Sequence, residues 1–298
     1  MSVPERRALR QPLRTLLGDY ATTHALRQGR LTSPIVALEF ADVAVPNKAF
    51  KRVVRDLEFD VAELALMTFL MARSRDVPLR LLPVVVFSRN PLPHLVHDSE
   101  RGRIAPKDVP RCCIGVRSYT TTTAVWVRAL ISDQFGVEFD AVEWMTLEEG
   151  HVAGVVDPRT VCRAGAGADL MTMLRGGVID AAIVDPVPAG RRFVPVVPDP
   201  EATCHAWQRQ HRAATLNHVM VVRESLAKDD EAMAELFRLF RESREIAGTE
   251  ADPVSTPLGF AANRRNLEVA IAVADAQGLL ARPLTVDDLV TDVVASFE

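Results

Sequence analysis

Two arginines stand where apolar runs end: Arg89 follows Val84–Phe87, and Arg117 follows Ile114–Val116. If those runs are strands, both guanidinium groups lie at carboxyl ends, where open α/β sheets bind ligands. A pair of arginines there can hold the two carboxylates of a dicarboxylic acid with bidentate geometry, which lysine does less specifically. Arg117 also opens a polar cluster, Ser118, Tyr119, Thr120, Thr121 and Thr122, that runs into a helical pattern with Val125, Trp126, Ala129 and Leu130 on one face. The first amides of such a helix have no partner within it, so the junction suits a carboxylate or other small anion. A capped helix that binds nothing uses the same residue types. Trp126 suits either an apolar pocket wall or, on its helical spacing, the core.

His218 begins the apolar run His218–Val222 rather than occupying a helix face, and an imidazole at a strand end can deliver a proton near pH 7. His151 is the second choice. Glu63 interrupts the apolar segment Phe59–Leu66, so it is either exposed on one strand face or paired with a cation such as Arg73 or Arg89. His205, His211 and His218 lack the tight spacing of a helical zinc motif, and Cys112, Cys113, Cys162 and Cys204 lack paired metal or redox spacing. No Gly-rich nucleotide pattern follows the first strand, and no lysine sits in a cofactor motif. No organic cofactor is therefore predicted, and a divalent metal is left open only as an assembly of distant residues.

These groups need elements to hold them. A chain of 298 residues, 48% hydrophobic, is long enough for two domains or one large α/β unit. Strands are expected over Ile35–Phe40, within Glu58–Met67, at Leu79–Phe87 as a central strand made irregular by Pro83, and over Cys113–Val116, Ala141–Trp144, Ile179–Val184 and His218–Val222. Helices are expected over Thr68–Ser74, Thr121–Gln134, Ala168–Arg175 and Asp230–Ala247, and after a Thr285 cap near the end. The proline-bearing stretch after Val184 reads as irregular, a crossover or cleft rim. The alternation of strand and helix favours an α/β architecture. A formal charge of −4 with interspersed signs gives no nucleic-acid footprint, and no stretch is long enough to cross a bilayer. The charged opening MSVPERRALRQPL lacks an apolar export core, which predicts a cytoplasmic protein, with a homo-oligomer left open.

Several segments together resemble the 4,5-dihydroxyphthalate decarboxylase family: GDY at Gly18–Tyr20, FDVAELAL with TFLMARS, PVVVFSR, GVRSYTTTTAVWVRAL and NHVMVV. That family is similar in fold to type 2 periplasmic solute-binding proteins, whose two α/β lobes close over a ligand. The resemblance implies a first lobe from residues 1–92 and 215–298 and a second from 93–214, with an interlobe cleft. It raises Asp19, Tyr20 and Thr23, just before the first helix, from caps to ligand contacts, and keeps Glu63 among the pocket candidates. It implies cofactor-independent decarboxylation of a hydroxylated aromatic acid: His218 as proton donor, Arg117 and Arg89 as anchors, and Tyr20, Ser118 and Thr120 as orienting groups. Tyr119, Thr122 and His151 complete the candidates. The competing expectation is a solute-binding protein that closes on an aromatic or dicarboxylate ligand without chemistry, or a related lyase or hydrolase on the same fold.

Overall fold

The computed structural model describes residues 12–139, 142–248 and 256–297; of the charged opening segment only Pro12 and Leu13 are among them, and Ala141 is not. The chain first lays down β1 (Leu13–Leu16), α1 (His24–Arg27), β2 (Leu38–Phe40), α2 (Phe50–Arg55), β3 (Val61–Ala65), α3 (Leu66–Arg73) and β4 (Leu79–Ser88). Every residue of β3 and α3 is buried, which is why both read as apolar runs broken only by Glu63, Thr68 and Arg73 rather than as alternating ones.

The chain then builds a second sheet from β5 (Leu95–Asp98), β6 (Cys113–Val116), β7 (Glu143–Thr146), β8 (Val161–Arg163), β9 (Ala181–Ile183) and β10 (Phe193–Pro195). Its helices are α4 (Thr122–Phe135), α5 (Leu170–Gly176) and α6 (Pro200–His211). A return strand, β11 (Leu216–Arg223), re-enters the first sheet, followed by α7 (Asp230–Ala247), α8 (Phe260–Ala276) and α9 (Asp292–Ala295). Among the described residues the first sheet has the order β2-β1-β3-β11-β4 and the second β10-β5-β9-β6-β7-β8. In the first, β11 runs antiparallel between β3 and β4; in the second, β6, β7, β8 and β9 are parallel, β5 runs against them, and β10, antiparallel to β5, shares their direction. The architecture is two mixed α/β sheets in two lobes.

A long buried cluster runs through both lobes, and α4 is what joins them. It packs on α3, which lies on the first sheet, and on α8, which packs on α3, although it follows β6 of the second. Four of its side chains bond across: Thr122 Oγ1 accepts the Met67 amide at 3.2 Å, Thr123 Oγ1 accepts from Arg89 Nη2 at 2.9 Å, Trp126 Nε1 donates to the Leu216 carbonyl at 2.8 Å, and Arg128 Nε donates to Gln277 Oε1 at 2.7 Å. Trp126 is thus core rather than pocket wall. Burial lowers the pKa of Arg128 to about 10, and its guanidinium lies 4.0 Å from the Tyr119 ring centroid.

Three expectations about elements are corrected. The run Leu79–Phe87 lies at the edge of its sheet, not the centre, with Val84 bridging Leu258 and the Pro83 carbonyl accepting the Gly259 amide; an edge tolerates proline. The stretch after Val184 holds β10 and the twelve-residue α6, because Pro200 stands at the first helical position behind Asp199, whose carboxylate accepts the Ala202 amide. Thr285 closes a short 3-10 turn over Asp287–Leu289, and the last helix starts beyond it, after Thr291.

Candidate functional site

The carboxyl ends of the parallel strands of both sheets face one cleft of about 530 Å³. On the first-sheet side the register aligns Ala65, the last residue of β3, with His218, and His218 with Phe87 of β4, and all three line the cleft. Phe50, at the start of α2, joins them. The opposite wall is built from Val116 and Arg117 at the end of β6, Leu147 after β7, Ile183 to Pro186 from the end of β9, and Thr121 to Thr123 at the start of α4.

His218 is fixed from behind by Glu63. On one face of a strand pair, long side chains at diagonal positions reach each other, and Glu63 lies two residues before the partner of His218. His218 Nδ1 lies 2.6 Å from Glu63 Oε1; the same oxygen accepts the Tyr20 hydroxyl at 2.6 Å, and Oε2 accepts the Gly18 amide at 2.7 Å. We assign the proton to Nδ1, because the carboxylate already receives two donors and has none to give. Nε2 is then the ring nitrogen that Glu63 does not engage. The Phe50 and Phe87 rings hold the imidazole, their centroids 5.2 and 5.3 Å away. Burial, and then the Glu63 charge, push the Tyr20 phenol far above its ordinary pKa, so it stays a neutral donor. The expectation that Glu63 is exposed, or paired with Arg73 or Arg89, is corrected: it is 0% exposed and its partners are His218, Tyr20 and Gly18. Arg73 instead gives its guanidinium to the Val77 and Asp288 carbonyls.

Arg89 and Arg117 both line the cleft, but in different states. Arg89 crosses it: Nη1 is 2.6 Å from Asp185 Oδ2, and Nη2 donates to Thr123 Oγ1 at 2.9 Å. Arg117 is only loosely paired, with Nη1 3.3 Å from Glu148 Oε1. His151 also lines the cleft, with Nδ1 3.0 Å from Thr68 Oγ1. Burial, and next the Arg117 charge, take its pKa down to about 3, so it is neutral at ordinary pH. Beside it, Arg55 of α2 donates to the Gly150 and His151 carbonyls and clasps the two lobes at this rim.

The remaining candidates divide. Thr122 lines the cleft while its hydroxyl serves Met67. Ser118, Tyr119 and Thr120 are buried beneath the wall and do not line it: Tyr119 packs on Trp144 and Arg128, and a methyl group at Gly150 would come 2.7 Å from Thr120 Oγ1. Asp19 is exposed and pairs with His24. Thr23 donates to the Gly18 carbonyl and accepts the Tyr20 amide, so it caps the turn. Tyr20 stands behind His218 rather than at the cleft surface. The cleft residues absent from the expectations include Phe50, Phe87, Thr123, Asp169 and Asp185. Asp185 was within reach, since it follows the Ile179–Val184 run as Arg89 follows its own. Among the described residues no three His, Cys, Asp or Glu side chains converge as metal ligands would, and no helix is long and apolar enough to cross a membrane.

No protein-family model matches the chain. It is 24% identical over 284 residues to the 4,5-dihydroxyphthalate decarboxylase of Comamonas testosteroni, covering 80% of this chain and 84% of that one. In structure it is similar to the alkanesulfonate-binding protein SsuA of Xanthomonas axonopodis pv. citri, bound to MOPS, with a TM-score of 0.56 at 12% identity over 96% of this chain and 99% of that one. The periplasmic aliphatic sulphonate binding protein SsuA of Escherichia coli gives 0.53 at 12% identity over the same shares. The fold is the bilobed, type 2 periplasmic-binding-protein-like one, and the weak sequence likeness is to a decarboxylase. At these identities the structural likeness extends to the fold alone.

Proposed function

We propose that the interlobe cleft captures a small acidic aromatic molecule. The observation that carries this is the opposition of two walls: Arg117 and the first-turn amides of α4 on one side, Phe50, Phe87 and His218 on the other. A loosely paired arginine at a helix start suits an anionic group, and two phenylalanines suit a ring. His218 is placed to bond a ring hydroxyl. Titration calorimetry with hydroxylated benzoates and phthalates, with alkanesulfonates beside them, tests the reading. Arg117→Ala should weaken binding of the tightest acid by roughly 10- to 100-fold, as removal of a desolvated charge partner does. Unchanged affinity, or no acidic aromatic bound by the intact protein, would refute it.

A second reading, decarboxylation, is favoured by one observation: Glu63, buried and charged, fastens His218 at the cleft wall. A binding site does not need that costly carboxylate, whereas a proton carrier gains from a partner for its imidazolium. The bond between ring carbon and carboxylate would break with its electron pair left on the ring, carbon dioxide would depart, and the ring carbon would take the proton from His218. Solvent would return that proton to the imidazole. The relative from C. testosteroni bears the name of such an activity. Carbon dioxide release and product mass, measured on the same acids, decide between capture and turnover.

A further inference from the structure

Arg89 has little left to offer a ligand. One terminal nitrogen is held by Asp185 at 2.6 Å and the other by Thr123 at 2.9 Å, and its Nε is buried with no partner among the described residues. Its side chain is 20% exposed, against 38% for Arg117. The charges lining the cleft are Lys48, Arg89 and Arg117 against Asp169 and Asp185, with Lys48 exposed at the rim. Asp169 is committed as the cap of α5, accepting the Thr172 amide at 2.8 Å, and still carries its negative charge.

From this we infer that Asp185 is a specificity-determining residue that restricts the cleft to ligands carrying one anionic group. By holding Arg89 from across the cleft, it leaves Arg117 as the cation for a single carboxylate or sulfonate. A second anionic group reaching toward Arg89 meets the Asp185 carboxylate first, and like charges so placed repel. This rests on the anion-capture reading above and narrows its substrate class from acidic aromatics to monoanionic ones.

The experiment compares matched ligands by calorimetry at fixed ionic strength: 3,4-dihydroxybenzoate against 4,5-dihydroxyphthalate, and 1-butanesulfonate against 1,3-propanedisulfonate. The intact protein should prefer the monoanion of a bound pair. Asp185→Asn removes the charge and keeps the shape, and should shift the monoanion-to-dianion preference toward the dianion by about tenfold or more, the scale of one close charge pair in a partly wet site. Asp185→Ser, which also frees Arg89, should shift it the same way, and thermal midpoints establish that each variant is folded. A dianion preference in the intact protein, or a preference unchanged in both variants, overturns the inference. If the sulfonates shift and no aromatic acid binds, the inference stands and the aromatic reading falls; if no anion binds any of the proteins, both fall.

Discussion

Glu63→Gln replaces one carboxylate oxygen with an NH2 group where the native side chain only accepts. Oε1 takes the Tyr20 hydroxyl and His218 Nδ1, and Oε2 takes the Gly18 amide. In place of Oε2 the new NH2 meets the Gly18 amide, which cannot accept; in place of Oε1 it requires Tyr20 and His218 to accept where they now donate; and the bonds that survive lose their assistance from charge. A buried donor left unmet costs about 1–3 kcal/mol, and a charge-assisted bond is roughly twice as strong as a neutral one. The sum predicts a loss of about 2–4 kcal/mol. Urea unfolding at pH 7 measures it, and the double mutant with His218→Leu measures the coupling, expected at about 1–3 kcal/mol. A loss below about 0.5 kcal/mol, the range of unremarkable surface substitutions, would show that Glu63 and His218 are neighbours without being partners.

The remaining predictions are independent of that pair's stability. The depressed pKa of His151, about 3 against an ordinary 6.5, means that the unfolded chain takes up a proton the folded one refuses. The stability due to neutral His151 is therefore complete above pH 6.5 and is lost as pH falls toward 3, at up to about 1.4 kcal/mol per pH unit. Thermal midpoints of His151→Gln between pH 7.5 and 4.5 should fall less steeply than those of the intact protein, and parallel slopes would count against the assignment. If the cleft turns over an acid, His218→Gln should cut single-turnover carbon dioxide release by roughly 10²–10⁴-fold while leaving much of the affinity, the usual scale for losing a general acid; equal rates would remove it as the donor. Gly115→Ala would press a methyl into Ile179 and to 2.9 Å from Leu170 Cδ2. Overpacking there should cost about 1–3 kcal/mol in urea unfolding, and an unchanged midpoint would mean that α5 moves aside freely.

Local pattern carried the sequence reading furthest where the signal lies within one short stretch. The passage from β6 into α4 shows in an apolar run, an arginine, a threonine cluster and a helical apolar face, and Arg117 stands where that passage puts it. His218 likewise reads as the start of a strand, although β11 begins two residues earlier, at Leu216. Glu63 does not read as its partner, because the bond is set by the register of β3 against β11, and nothing near residue 63 encodes that register. The pairing of Arg89 with Asp185 is hidden for the same reason: it depends on how two sheets face each other. The polar cluster after Arg117 misleads, since Ser118, Tyr119 and Thr120 look as available as Thr122 until the turn folds them beneath the wall. The helix α8 is hard to read because Asn263, Arg264 and Arg265 fall within its first two turns and break the apolar pattern between Phe260 and Leu267.

The placement of β11 has a consequence for the order in which the chain can fold. β3 and β4 lie on either side of β11 and are made before the whole second sheet, so during synthesis their neighbouring edges wait for a strand that arrives last. Contacts closed over so many residues are slow to form, and bare apolar edges that wait are open to wrong pairings, including direct pairing of β3 with β4. A lone carboxylate in the middle of β3 works against such pairings, because burying Glu63 there without a partner is unfavourable. When β11 arrives it brings His218, and the charge that kept the edge open becomes the bond that closes the sheet.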